Sequence, residues 1–376
     1  MDTISPLTHS PASVSLPVSP DDDSRFDRTV SPSPACPKET LQQCGVSRIV
    51  QIHVPVLLIG GNAAIVHTTR TNTPHTPQTV IPTLINFLEQ AAQLGYNTLH
   101  LTGGDHFLTG SQPYPHEPTT HILEDLLTTS HKLGYHNTAT QLYSHHTALH
   151  SQHAARILQN LDHITITIDG KPVTNQQRDA FARMRENLTQ VKNFSFSHTL
   201  TPDSWQILSW LTDFAIHHKA TSLHLQTRDI STFSAVDLYR IYLAHYYLKS
   251  FAEPELLIHL DLLHRDNLIN NPNFLFHQTT ISKHNAEVLS KLIIGEKGDI
   301  LTIPGSTFFK IGNIHDTTPL STMIDQFMEK KLEYIMQLYN DTYREILADP
   351  GVEIFSWHQL IIDKSRKFED SAHEQD

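Results

Sequence analysis

Cysteine is nearly missing from this 376-residue chain: Cys36 and Cys44 are the only two, and none follows Cys44. Two thiols cannot build a disulfide framework, and by themselves they cannot ligate a four-iron cluster. Positive charge is scarce as well. Lys and Arg number 27 against 39 Asp and Glu, a net charge of −12, which argues against nucleic acid or an anionic membrane surface as the main partner. No run approaches the ~18 apolar residues of a membrane span. The N-terminus shows neither a basic leader nor an apolar stretch, which predicts a cytoplasmic protein without a secretory signal. A glycine-rich phosphate loop ending in Lys-Ser/Thr is also absent.

What is present is an ordinary globular composition, 39% hydrophobic and 18% charged, on a chain long enough for one large domain, or for one large and one small. Histidine is the exception, at 27 copies. The excess reads either as metal binding or as a compositional habit, because shared spacing, not abundance, marks ligands. Residues 1 to 46 stand apart. Seven prolines fall between Pro6 and Pro37, among Ser, Asp and Thr, and such a segment buries too little to offset its ordering entropy, so a disordered tail is expected there.

From about residue 50 strand and helix patterns alternate. Val54 to Val66, interrupted by Gly60 and Gly61, reads as a first strand with a break. Ile81, Leu84, Ile85, Leu88 and Ala92 recur at helical spacing, Gly95 ends that helix, and Thr98 to Thr102 reads as a strand. The pattern repeats: a helix over Thr119 to Leu133 stopped by Gly134, a strand near Ala139 to Tyr143, a helix with Leu149 and Ile157, and the strand Ile164 to Ile168. A helix through Phe181 and Leu188, the strand Phe194 to Leu200, a helix from Ile207 to Ala215, the strand Ser222 to Thr227 and a helix over Ser234 to Lys249 follow. Six such units predict a parallel sheet joined by right-handed crossovers, wound doubly or curled into a barrel. In parallel barrels the chemistry gathers at the C-terminal ends of the strands.

The second strand runs directly into Thr102-Gly103-Gly104-Asp105. Paired glycines let backbone approach a ligand, and a carboxylate accepts hydrogen bonds from an amine; a plain βα turn would look the same. In this position the turn resembles the GGE turn of radical-SAM proteins, which contacts the amino group of S-adenosylmethionine (SAM). Ile164-Thr165-Ile166-Thr167-Ile168-Asp169-Gly170, with Arg178-Asp179 and Phe181 to Leu188 beyond it, is similar to a second stretch of that family, although Asp179 replaces its glycine. Leu292 to Gly295, Gly298 to Ile300 and Phe309 to Ile314 resemble the C-terminal extension of peptide-modifying members, often called SPASM. The resemblance covers about residues 50 to 320. It implies a partial (β/α)6 TIM-like barrel of radical-SAM type over residues 47–253 and a smaller, mostly helical SPASM-like region over 254–376. It also implies that Gly103, Gly104, Asp105, Thr167 and Asp169 are the residues facing SAM.

The departure from the family lies in the loop after the first strand. There the family carries C-x3-C-x2-C, three thiolates that leave one iron open for SAM. The same spacing falls on Thr68, Asn72 and His75, and neutral Thr and Asn are not ligands for a soft iron–sulfur core. Thr302-Ile303-Pro304-Gly305-Ser306 stands where the extension would also supply a cysteine. The resemblance therefore implies a protein with no iron–sulfur cluster and no electron source for cleaving SAM.

Two functions follow as expectations. One is a scaffold that binds a peptide or small-molecule substrate, or an active radical-SAM or other modifying enzyme, in a peptide or natural-product modification pathway. The other is an enzyme with replaced chemistry at the barrel mouth, either a metal oxygenase using His75, Asp105 and His106 for one or two metal ions, or a non-radical SAM-dependent transferase. His53, His67 and His100 are further candidates near that mouth, His100 only if its register turns it inward. His145-His146, and His259 with Asp261 in the run Glu255 to His264, are weaker, and His259 also reads as a buried, hydrogen-bonded histidine. Pro319 to Ala348 reads as a long amphipathic helix that packs on the barrel or mediates a dimer.

Overall fold

The computed structural model describes residues 48–53, 77–102, 118–142, 159–182 without 176 and 180, 193–252, 254–270, 289–304 without 296, and 306–373. The described residues all belong to one compact unit, Pro37–Asp376. The first strand, β1, is Ile49–His53, ahead of the apolar run Val54 to Val66, which lies outside the described residues. Six more parallel strands follow in order: β2 (Thr98–Thr102), β3 (His136–Leu142), β4 (His163–Thr167), β5 (Phe194–Thr199), β6 (Ser222–Gln226) and β7 (Leu257–Leu260), each paired with its predecessor. The short β8 (Leu263–His264) leaves this sheet and pairs antiparallel with β12 (Ile354–Phe355).

The sheet extends beyond the six strands expected for the barrel. Among the described residues the sheet has ten strands in the order β11-β10-β9-β1-β2-β3-β4-β5-β6-β7, and its two end strands do not pair with each other. Strand β9 (Lys291–Ile294) lies parallel to the free side of β1. Then β10 (Asp299–Leu301) and β11 (Lys310–Asn313) add antiparallel. A buried strand needs partners on both sides, and β1 finds its second partner some 240 residues down the chain. Asp299 secures the hairpin by accepting from Asn313 Nδ2 at 2.9 Å and pairing with Lys310 at 2.7 Å.

Helices α1 (Pro77–Gln93), α2 (Pro118–Lys132), α3 (Leu208–His217) and α4 (Ala235–Ala252) link the parallel strands and cover one face of the sheet. Most side chains turned to that face are apolar: Leu99, Leu101, Ile164, Phe196, Leu223 and Leu292 are almost fully buried in one core with Leu84, Leu88, Leu126 and Leu211 of the helices. After the short α5 (Arg265–Asn270), α6 (Leu320–Ala348) places Leu320 and Met323 in this core. Farther along, its Phe327, Ile335 and Leu338 pack with Ile361 of α7 (Trp357–His373) in a second cluster. The amphipathic stripe of α6 is thus spent on packing. No helix among the described residues is long and apolar enough to cross a membrane.

Three helices end in the same way, and only two of them with the residue that geometry favours. Gly95 and Gly134 have φ of 87° and 88° and close Schellman motifs, with Tyr96 N donating to Ala91 O at 3.0 Å and Tyr135 N to Ser130 O at 2.9 Å. The tyrosines that follow are buried, and each hydroxyl donates to a backbone oxygen, of Leu289 at 2.6 Å and of Leu88 at 2.8 Å. After α3 the left-handed position is Lys219, φ 59°, with Ala220 N donating to Ala215 O at 3.0 Å. Lys219→Gly should therefore stabilise the protein by about 1 kcal/mol. Gly134→Ala should cost about as much, purely through its backbone, since no atom lies within 4 Å of the added Cβ. Urea unfolding of both variants checks the pair of opposite signs.

Candidate functional site

Side chains alternate along a strand, so the residues between the core positions all turn to the other face. In a parallel sheet covered on both sides by helices those residues would be apolar. Here they are not. Registers place Thr98, His100 and Thr102 of β2 beside Thr138 and Thr140 of β3, His163, Thr165 and Thr167 of β4, Ser195 and Ser197 of β5, and Ser222 and His224 of β6. None of the residues on this face from β2 to β6 is Asp or Glu.

The groups on this face satisfy one another. His100 has Nδ1 at 2.7 Å from Thr138 Oγ1 and Nε2 at 3.1 Å from Thr140 Oγ1. His163 Nε2 lies 2.9 Å from Ser195 Oγ, which lies 2.6 Å from Ser222 Oγ, itself 2.8 Å from His224 Nε2. The His224 ring stacks on His259 of β7 at 4.8 Å and 12°. His259 is exposed, not the buried histidine expected for that strand. Asp261, just beyond β7, accepts from Thr227 N at 2.6 Å and Thr227 Oγ1 at 2.9 Å.

Burial, with help from the Lys291 charge and from His163, pushes His100 down to about 4. Burial also pushes His224 down to about 4, aided by His259 and His163. His163 is lowered by burial and by His136. These imidazoles are neutral near pH 7 and serve as hydrogen-bonding groups, not as fixed charges.

Thr167 ends β4, and Asp169 lies just beyond it. Thr167 Oγ1 is 2.7 Å from Ser197 Oγ, and Asp169 follows two residues on, exposed, with its charge acting on His198. His198 itself points the other way, to the helix-covered face. Its Nδ1–H donates to Ile168 O at 2.7 Å, and Nε2 lies 2.9 Å from Ser204 Oγ, so it pins the connection after β5 and has a structural role.

Gly103, Gly104, Asp105 and His106 begin the connection after β2, which ends at Thr102 as expected. These four lie outside the described residues, as do His67, Thr68, Asn72, His75, His145 and His146. Strand β1 ends at His53, well short of Thr68. His100 turns to the polar face, but at mid-strand, with both ring nitrogens occupied. Among the described residues no group of three or more His, Cys, Asp or Glu stands close enough to hold a metal ion. Lys291, His163, His224, Ser195 and Ser222 were not singled out from sequence. The available signal was the strict polar–apolar alternation of TLHLT, HITIT and SLHLQ, which a sheet covered on both faces would not show.

The neutral histidines make stability sensitive to acid. The unfolded chain takes up protons near the ordinary histidine value of 6.5, whereas folded His100 and His224 do so only near 4. Their contribution is therefore full above pH 6.5 and lost progressively as pH falls from there to 4, on the order of 2 kcal/mol for each group. Urea unfolding between pH 7 and 4.5 should show a shallower acid loss in His100→Gln, whose amide still reaches both threonines.

No family model matches the chain, and no curated protein does. Solved structures that overlay on part of it include Streptococcus suis SuiB bound to S-adenosylmethionine, 15% identical with a TM-score of 0.48, covering 79% of this chain and 71% of that one. Another structure of SuiB is covered over 61% of its length. Native anSMEcpe with bound AdoMet and Kp18Cys peptide is 10% identical with a TM-score of 0.43, over 74% of this chain and 82% of that one. TYW1 with a lysine-pyruvate adduct bound is 11% identical with a TM-score of 0.32, over 57% and 78%. At such scores and identities, what those proteins bind and do stays with them.

Proposed function

We propose that this chain is a cluster-free relative of radical-SAM proteins, a cytoplasmic component that binds a peptide or small-molecule substrate, or a partner enzyme, in a modification pathway. The observation that carries the proposal is the position of the last cysteine: Cys44 precedes β1, so no strand end of the sheet has a thiolate to offer. The donor set does not fit an iron–sulfur cluster, and no step is assigned to one. In this reading 1–46 is a tail, 47–253 the binding body and 254–376 the SPASM-like remainder. SuiB, in a structure bound to precursor peptide SuiA, exemplifies the class of ligand meant.

A second reading keeps SAM as a ligand. Gly103, Gly104 and Asp105 follow β2, while Thr167 and Asp169 end β4 on the same sheet. Those residues would hold the amine and the neighbouring polar groups of SAM, which supplies a methyl group when bound. The metal set His75, His106 and Asp105 belongs to the same alternative.

The experiment is anaerobic reconstitution with iron and sulfide, followed by SAM and dithionite. The expected outcome is no cluster absorption and no 5′-deoxyadenosine above a protein-free control; its appearance would refute the proposal. Calorimetric titration of SAM and metal analysis on untreated protein separate the two readings. Micromolar SAM binding lost in Asp105→Ala selects the second, and neither SAM nor stoichiometric metal leaves the first.

A further inference from the structure

A helix that lies on a sheet with its other side in solvent is polar on that outer side. Helix α4 is not. It turns Leu238, Ile241 and Ala252 inward, where they are buried in the main core. On the opposite side Val236, Tyr239, Tyr246, Tyr247 and Phe251 are 56%, 46%, 61%, 69% and 89% exposed. Their spacing of three and four residues, with the half-buried Leu243 between them, makes one stripe along the helix. Between Asp237 and Glu253 the chain has no Asp or Glu. Trp205, 39% exposed, widens the stripe sideways, with the Arg240 guanidinium 5.4 Å from its ring centre.

The exposed area is large enough to decide its use. At roughly 200 Å² for a large side chain, those exposures leave about 700 Å² on one copy. That exceeds the ~300–600 Å² of the largest apolar patch on an ordinary monomer. Two such patches pressed together bury about 1,400 Å², inside the range of ~1,200–2,000 Å² that specific interfaces need. The composition agrees, since Tyr, Trp, Phe and Arg are enriched at interfaces while Glu and Asp are depleted.

We propose that two copies of this chain associate through the outer faces of α4, antiparallel about a two-fold axis at Leu243. In a two-fold interface every contact occurs twice with the copies exchanged, so a stripe pairs with itself only if residues equidistant from the axis suit one another. Those of α4 do. With Leu243 on the axis, Tyr239 comes level with the partner's Tyr246, Arg240 with the partner's Tyr247, and Val236 with the partner's Phe251, each to within one residue's rise. These are an aromatic pair, a guanidinium against an aromatic ring and an apolar pair. The pairing also keeps carboxylates out of the contact, which matters for two chains that each carry a net charge of −12. That self-complementarity selects a second copy over an unrelated protein.

The test is sedimentation of the full chain at pH 7 from about 1 to 100 µM. Wild type should form a species of twice 42.6 kDa with a dissociation constant that is micromolar or lower. Tyr246→Glu places a carboxylate in the contact and should weaken association at least about 30-fold. Tyr334→Glu, on the exposed side of α6, should leave association unchanged. A wild type that stays monomeric overturns the proposal and leaves the stripe to residues 1–46 or to a different protein. A dimer that Tyr246→Glu does not weaken overturns it as well. Should that variant fail to fold, crosslinking decides, in a chain carrying Cys36→Ser and Cys44→Ser. Leu243→Cys should then form a covalent dimer on mild oxidation, whereas Val236→Cys, whose two copies lie about 21 Å apart along the helices, should not. Equal crosslinking of both, or of neither, rejects the pairing.

Discussion

The two-sided pairing of β1 is the interaction on which the other elements depend. Five residues, Ile49–His53, are laddered to β2 on one side and to β9 on the other. Strand β2 carries the parallel series through β7, and β9 carries the hairpin of β10 and β11. Buried backbone groups must be paired, so a core strand with only β2 beside it would leave half its donors and acceptors unmet. The segment after residue 288 answers that need, and this is why what looked like a separate C-terminal region belongs to the sheet.

The second constraint is that the sheet has unlike faces. One is sealed by helices and carries Leu, Ile and Phe. The other is furnished with Thr, Ser and His that bond to one another across strands. A polar face of this kind is stable only if its members are satisfied, and neutral imidazole suits the role because it both donates and accepts. None of the strand residues on this face from β2 to β6 is Asp or Glu, and the lysine on it is Lys291 of β9.

Legibility in the sequence followed the range of the interactions. The ends of α1 and α2 were readable because Gly95 and Gly134 adopt a conformation that glycine alone takes without cost, and β2 was readable from TLHLT between two such signals. The first described strand was not read from sequence, and the run expected to form one lies outside the described residues. Ile49–His53 mixes Gln51 and His53 with apolar residues, and the longer apolar run after it gave the stronger local signal. Thr167 and Asp169 were named from a motif on one strand and its end. His163, His224 and Lys291 were not, because their surroundings come from other parts of the chain. His100 meets Thr138 across 38 residues, and Tyr96 meets Leu289 across 193.

By itself the sequence determined composition-bound properties: no thiolate after Cys44, a net negative charge, and strands whose alternation demands one apolar face. No fold alters which side chains exist, so these properties needed no coordinates. Only the tertiary structure decided which strand completes β1 and which way His100 and His259 turn. Those outcomes depend on inter-strand register and helix docking, which arise from pairings hundreds of residues apart that local patterns do not encode.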